Sequence, residues 1–363
     1  MDWPQIRQDC QETQECKMQK ARRRMPSSEC PQRVDSAEGE SHYLEMRNSF
    51  CLFFGILRCG FCIAFATSLG CASLRSRSSG EAGALPVRGN GTASVPSYPV
   101  REELDVVYGH AGGEDLQLDL FAPKDVPGPF PAVVILHGGG WAKGSHEVHR
   151  PLAALLAGQG YVAATVGYRL APRHKFPAQI QDAKCAVRWL RAHAERRQID
   201  RERIAALGFS AGAHLALLLG LTEAQEGLEG EGGHPEQSSR VQAVINISGP
   251  TDLTRPDWPE TTRLVIADFL GGSREQLPGL YRAASPLAYV HRGAPPVLTI
   301  HGTADTVVPY EQAQLLHAAL RKARVSSQLM TLHGKDHGEN WGPKEQQRNA
   351  AAIRAFLDAH LRR

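Results

Sequence analysis

The sequence predicts an α/β domain: a mostly parallel, eight-stranded sheet with helices on both faces. Three observations carry that expectation. Apolar runs of strand length recur along residues 98–363, and segments of helical period lie between them. The later runs are apolar almost throughout, as parallel strands covered by helices should be. Finally, Gly208-Phe209-Ser210-Ala211-Gly212 is a G-x-S-x-G turn placed between a strand-like run, Ile204-Ala205-Ala206-Leu207, and a strong helix former beginning at Ala213.

The elements follow in order. Leu104-Asp105-Val106-Val107-Tyr108 and Leu116-Gln117-Leu118-Asp119-Leu120 alternate apolar and polar residues around Gly112-Gly113, which predicts an antiparallel start. Strands are expected at 132–136, 161–166, 204–207, 241–247, 296–300 and 328–332. Pro177 opens a helix in which Ile180, Ala183, Val187 and Leu190 recur at three- and four-residue spacing. Further helices are expected over 147–158, 211–221, 312–324 and 344–361. Residues 223–240 are rich in Gly and Glu and read as a mobile surface loop with little to pack. Residues 250–290, with Trp258, Phe269, Leu270 and Tyr281, are expected to shape a lid or pocket wall.

The chemistry centres on Ser210. A sharp strand-to-helix turn lifts its hydroxyl clear of the sheet, and side chains at Gly208 or Gly212 would collide with that packing. A serine needs a base, an orienting acid and oxyanion donors before it is a useful nucleophile. Asp305 lies in the loop after the strand at 296–300, and His337 in the loop after the strand at 328–332. The order Ser, Asp, His is the one this kind of turn requires. Upstream, the strand at 132–136 runs into His137-Gly138-Gly139-Gly140-Trp141, whose consecutive glycines let backbone N–H groups turn outward together. Gly139, Gly140 and Ala211 are therefore the candidate oxyanion donors.

Competing motifs fail on spacing. His146-Glu147-Val148-His149 lacks the H-E-x-x-H interval, and Gly334 interrupts the helix that would aim His333 and His337 at one metal. In residues 139–145 the Lys precedes the Gly, unlike a P-loop. Asp182 reads as a solvated or ion-paired helix residue and Asp252 as a loop-structuring side chain. The reading calls for no cofactor and no metal.

Of 363 residues, 41 are Lys or Arg and 38 are Asp or Glu, a net charge of +3. The basic residues are scattered, which argues against a nucleic-acid partner. Seven of the eight cysteines lie at or before Cys71, so Cys185 has no disulfide partner within the catalytic region. Residues 46–71 resemble a signal peptide: a charged start at Met46-Arg47-Asn48, then an uncharged, mostly apolar run of 12 residues from Cys59 to Gly70. Ser68-Leu69-Gly70-Cys71 is close to a lipobox, with Ser in place of the usual Leu. The expectation is an exported, periplasmic or cell-surface protein with a membrane tether through Cys71; the alternative is an anchor formed by residues 50–73. Residues 1–45 are read as a disordered or non-native leader, with Met46 the expected start, and 72–97 as a flexible linker.

Across residues 98–363 the chain resembles α/β-hydrolase esterases of the hormone-sensitive-lipase and acetyl-esterase type, above all the bacterial branch related to acetylxylan and feruloyl esterases. The matching segments are His137-Gly138-Gly139-Gly140-Trp141, Tyr168-Arg169-Leu170-Ala171-Pro172, the turn at Ser210, His301-Gly302-Thr303-Ala304-Asp305 with Val308-Pro309, and His337-Gly338. Glu339-Asn340-Trp341 departs from the pattern, where many relatives carry an aromatic directly after the histidine. The resemblance implies hydrolysis of small-molecule or carbohydrate esters carrying short acyl groups. An amidase, arylformamidase or peptidase with the same triad remains the alternative, and a non-enzymatic binder on this scaffold a more remote one. A peptidase of the prolyl-oligopeptidase type would carry a large propeller domain, and the roughly 30 residues expected between Cys71 and the catalytic domain are too few for one.

Overall fold

The computed structural model describes residues 97–338 and 341–362. The expected leader, signal segment, Cys71 and all but the last residue of the linker lie outside the described residues. Eight strands form one sheet: β1 Val100–Ala111, β2 Glu114–Pro123, β3 Phe130–Leu136, β4 Val162–Val166, β5 Ile199–Phe209, β6 Ala243–Ile247, β7 Val297–Gly302 and β8 Ser327–Leu332. Their spatial order is β1-β2-β4-β3-β5-β6-β7-β8. β2 pairs antiparallel with both β1 and β4, and every other pairing is parallel. The expected antiparallel start and parallel remainder are both present.

Helices cover both faces because successive strand residues point to opposite sides. They are α1 Arg150–Gly158, α2 Ala178–Ala192, α3 Ala194–Arg197, α4 Ala211–Leu221, α5 Glu260–Leu270, α6 Pro278–Ala283, α7 Glu311–Lys322 and α8 Pro343–Leu361. Val134 and Leu136 of β3 join one buried cluster with Ile180 of α2, Leu215 of α4 and Leu316 of α7. Val133 and Ile135 of the same strand join the other, with Leu156 of α1 and Phe356 of α8. β3 and β5 lie at the centre, buried on both faces. β8 is an edge strand and only half-buried.

Three expectations need correction. The helix expected over 147–158 is divided: His146–His149 form a 3₁₀ turn capped by Ser145, and α1 starts at Arg150 with Pro151 in its first turn. Proline lacks the N–H that a continuous helix would use, so the chain restarts there. α5 and α6 were not expected as helices. Trp258, Phe269, Leu270 and Tyr281 are buried, and Phe269 stacks on Trp141 of the glycine loop.

The third correction concerns residues 223–240, which are pinned rather than lacking partners. Lys184 and Arg188 project from α2 into the interior, with exposures of 0% and 2%. A buried cation needs a counter-charge. Glu229 supplies it, 2.8 Å from Lys184 Nζ and 2.7 Å from Arg188 Nη1, while Leu228 is buried beside it. Asp182 is ion-paired, the second of its two expected states: it is buried and gripped by Arg169 at 2.7 Å. Asp252 does structure its loop, accepting from the N–H and hydroxyl of Thr254.

Candidate active site

Ser210 stands between the end of β5 and the first residue of α4, with φ 51° and ψ −118°. That conformation is costly for a residue with a Cβ and persists only where its surroundings impose it. They do so here by close backbone approach. A Cβ on Gly208 would come 2.2 Å from Gly212 O, and one on Gly212 would come 2.2 Å from Leu136 O. The Ser210 N–H donates to Ile247 O at 2.8 Å, fastening the turn to β6. α4 then points its N-terminus, the positive end of its dipole, toward the serine.

His337 and Asp305 reach the same place from the far strands. His337 Nε2 lies 2.9 Å from Ser210 Oγ, and His337 Nδ1 lies 2.8 Å from Asp305 Oδ2. A carboxylate oxygen can only accept, so Nδ1 carries the proton and Nε2 is left to accept from the serine. Asp305 is buried and fully engaged. Its Oδ1 accepts from the N–H groups of Val307 and Val308 at 3.0 and 2.7 Å. Its Oδ2 also faces His301 Nε2 at 3.2 Å. Burial alone pushes the Asp305 carboxyl up. The hydrogen bonds from His301 and His337 outweigh that and hold it well below the usual carboxylate range.

The glycine loop borders Ser210 directly: a Cβ on Gly138 would sit 3.4 Å from Ser210 Cβ. Gly139, Gly140 and Trp141 have φ of 109°, 60° and 58° in succession. Gly139 has no room for a side chain, since its Cβ would be 2.3 Å from Lys143 O. Glycine adopts positive φ without side-chain strain, so the loop can hold this shape beside Ser210. Ala211, the third expected donor, occupies the first position of α4, where an N–H has no partner one turn back in the helix.

Sequence reasoning missed the groups that hold this loop. Trp141 Nε1 donates to His214 Nδ1 at 3.2 Å, and His214 Nε2 lies 2.6 Å from Ala284 O. Trp141 also stacks on Phe269 of α5, with centroids 4.2 Å apart and planes 9° from parallel. Burial pushes the His214 imidazole down to about 4, so it stays neutral and can accept the indole N–H. Tyr168 donates to His137 O at 2.8 Å and stacks on its ring. One signal was available: His214 lies four residues after Ser210, on the same side of α4.

Among the described residues, Asp105, Asp119 and His146 have ligand atoms within 4.8 Å of one another. Arg150 Nε already sits 2.6 Å from Asp119 Oδ2, and no triad residue is on the elements that carry this group. A hollow of about 600 Å³ bordered by Arg191, Arg201, Glu202 and Arg240 opens near the start of β5. Ser210 is at the other end of that strand.

The BD-FAE family matches residues 118–320, and a TAP-like protein family matches 281–360. The esterase LipC of Mycobacterium tuberculosis is 38% identical over 230 residues, covering 61% of this chain and 56% of its own length. The chain thus spans little more than half the length of the curated relatives it matches. Among solved structures, a truncated carbohydrate esterase from gut microbiota superposes with a TM-score of 0.62 at 25% identity, covering 74% of this chain and 99% of that one. The propionate-bound esterase Est2 of Thermogutta terrifontis gives 0.60 at 32% identity, covering 73% and 94%. That esterase has also been captured phosphorylated by paraoxon. By the extent of these matches the chain belongs to the BD-FAE family, among the α/β-hydrolase esterases of the hormone-sensitive-lipase type.

Proposed function

We propose that the protein is a serine carboxylesterase that hydrolyses short-chain acyl esters, with acetyl groups on carbohydrates as one substrate class, through Ser210, His337 and Asp305. The observation that carries this reading is the continuous relay from Ser210 Oγ through His337 to Asp305, with spacings of 2.9 and 2.8 Å. Relatives named as esterases and a carbohydrate-esterase neighbour support it.

In the first half-reaction Ser210 Oγ attacks the ester carbonyl carbon as its proton passes to His337 Nε2. The C–O π pair moves onto the carbonyl oxygen, which the N–H groups of Gly139, Gly140 and Ala211 receive. Loss of one such donor costs about 2.7–4 kcal/mol. Asp305 holds the imidazole in the productive tautomer and stabilises it once protonated. The oxyanion collapses, the bond to the alcohol oxygen breaks, and that oxygen takes the proton from Nε2. Water then repeats the sequence on the acyl-enzyme, releasing the acid and regenerating Ser210.

The test is turnover of p-nitrophenyl esters of graded acyl length beside acetylated xylan, with Ser210→Ala as the control. Ser210→Ala is expected to lower kcat by about 10⁴-fold or more while leaving thermal unfolding unchanged. A fluorophosphonate should label Ser210 in the parent protein. No adduct and no turnover would return the chain to the binding-protein class.

A further inference from the structure

We propose that Asp336 is a positioning residue for the Asp305–His337 pair, its Oδ1 locking the acid-bearing loop to the base-bearing loop; the proposal rests on the esterase reading of this site. The two loops leave neighbouring strands, β7 and β8, and are joined stepwise. The Thr303 N–H donates to Leu332 O at 3.0 Å, the Gly334 N–H to Thr303 Oγ1 at 2.9 Å, and the Ala304 N–H to Lys335 O at 3.0 Å. Asp336 completes the series. Its Oδ1 accepts from the N–H and the hydroxyl of Thr306 at 2.8 and 2.9 Å, and from the N–H of His337 at 2.7 Å. One oxygen therefore holds the residue after the acid and the backbone of the base itself.

The charge makes these bonds stronger than neutral ones. The N–H groups of Thr306 and His337 in turn hold the Asp336 carboxyl below its ordinary range. The Asp336 backbone is engaged too, its carbonyl accepting from Trp341 Nε1 at 2.7 Å. Both Asp336 and Thr306 are exposed, and an exposed carboxylate without such a role can be replaced with little effect. His337, by contrast, must present Nε2 first to Ser210 Oγ and then to the leaving oxygen. A misplacement of about 1 Å at such a group can cost about 10²-fold in rate. Asp336 touches neither atom and acts through the backbone of His337.

The experiment compares full-length Asp336→Ala and Asp336→Asn with the parent on p-nitrophenyl acetate. For Asp336→Ala, kcat should fall roughly 10- to 100-fold with KM within about threefold, since substrate contacts are untouched. Asp336→Asn keeps an acceptor oxygen in place and should recover most of the loss. A second readout needs no ester: the proton NMR resonance of His337 Nδ1–H, sheltered by Asp305. It should persist in the parent and Asp336→Asn and broaden through solvent exchange in Asp336→Ala. Parent-like kcat with an unchanged resonance in Asp336→Ala overturns the proposal, as does a rise in KM alone. A parent inactive on every ester, whose resonance still broadens in Asp336→Ala, would sink the esterase reading and leave the positioning role standing.

Discussion

Ser210 and the two side chains it meets, His337 and Asp305, are held by different physics. Ser210 is fixed sterically: it follows a central strand buried on both faces, and the backbones around Gly208 and Gly212 approach too closely to admit a methyl group. His337 and Asp305 sit on loops at the edge of the sheet and are fixed by hydrogen bonds across those loops. Steric fixing tolerates no added atom but is indifferent to charge. Polar fixing tolerates changes of shape but depends on each donor and acceptor. The site joins a part set by the core to a part set by its own surface.

The largest expected effect tests the polar half. Asp305→Asn keeps the shape but can no longer dictate the imidazole tautomer, so kcat should fall by about 10⁴-fold. A loss under tenfold would show that the Asp305 carboxylate is not the orienting group. Gly212→Ala tests the steric half and should cost stability as well as activity. Its methyl meets the carbonyls of Leu136 and His137, so stability should drop by about 3 kcal/mol or more in urea titration. An unchanged unfolding midpoint would mean that the turn can relax.

A third effect separates the halves by pH. Burial pushes His137, His149 and His214, all around the glycine loop and the nucleophile, down to about 4. Folding therefore favours their neutral forms. The stability this contributes is complete above the unfolded value of about 6.5 and is lost as pH falls toward 4. Asp305 and Asp336 are held low, and the stability they contribute persists through that window. Unfolding free energy should thus decline between pH 6.5 and 4, by about 1–3 kcal/mol for each histidine. His149→Phe, which preserves the stack on Phe209, should flatten the slope; an identical slope would place the acid sensitivity elsewhere.

The same division explains what could be read from the chain. The strands were legible because continuous apolar runs of that length have few other uses, and the turn at Ser210 because steric demand leaves glycines at fixed offsets. The meeting of Ser210, His337 and Asp305 was legible because each follows a strand end. The anchoring of residues 223–240 was not, because Glu229 meets cations 45 and 41 positions earlier. α5 and α6 escaped because prolines and glycines interrupt their surroundings. The parts played by His301, His214 and Asp336 depend on which loops become neighbours, and no local pattern encodes that.

The half-exposed edge strand has a practical consequence. β8 is paired along one side only, yet the imidazole hangs from the loop that follows it. Fraying there would strip the serine of its base while the central strands and the helices of the opposite face stayed assembled. Warming should therefore silence the protein before circular dichroism registers any loss of helix, and a brief return to lower temperature should revive it.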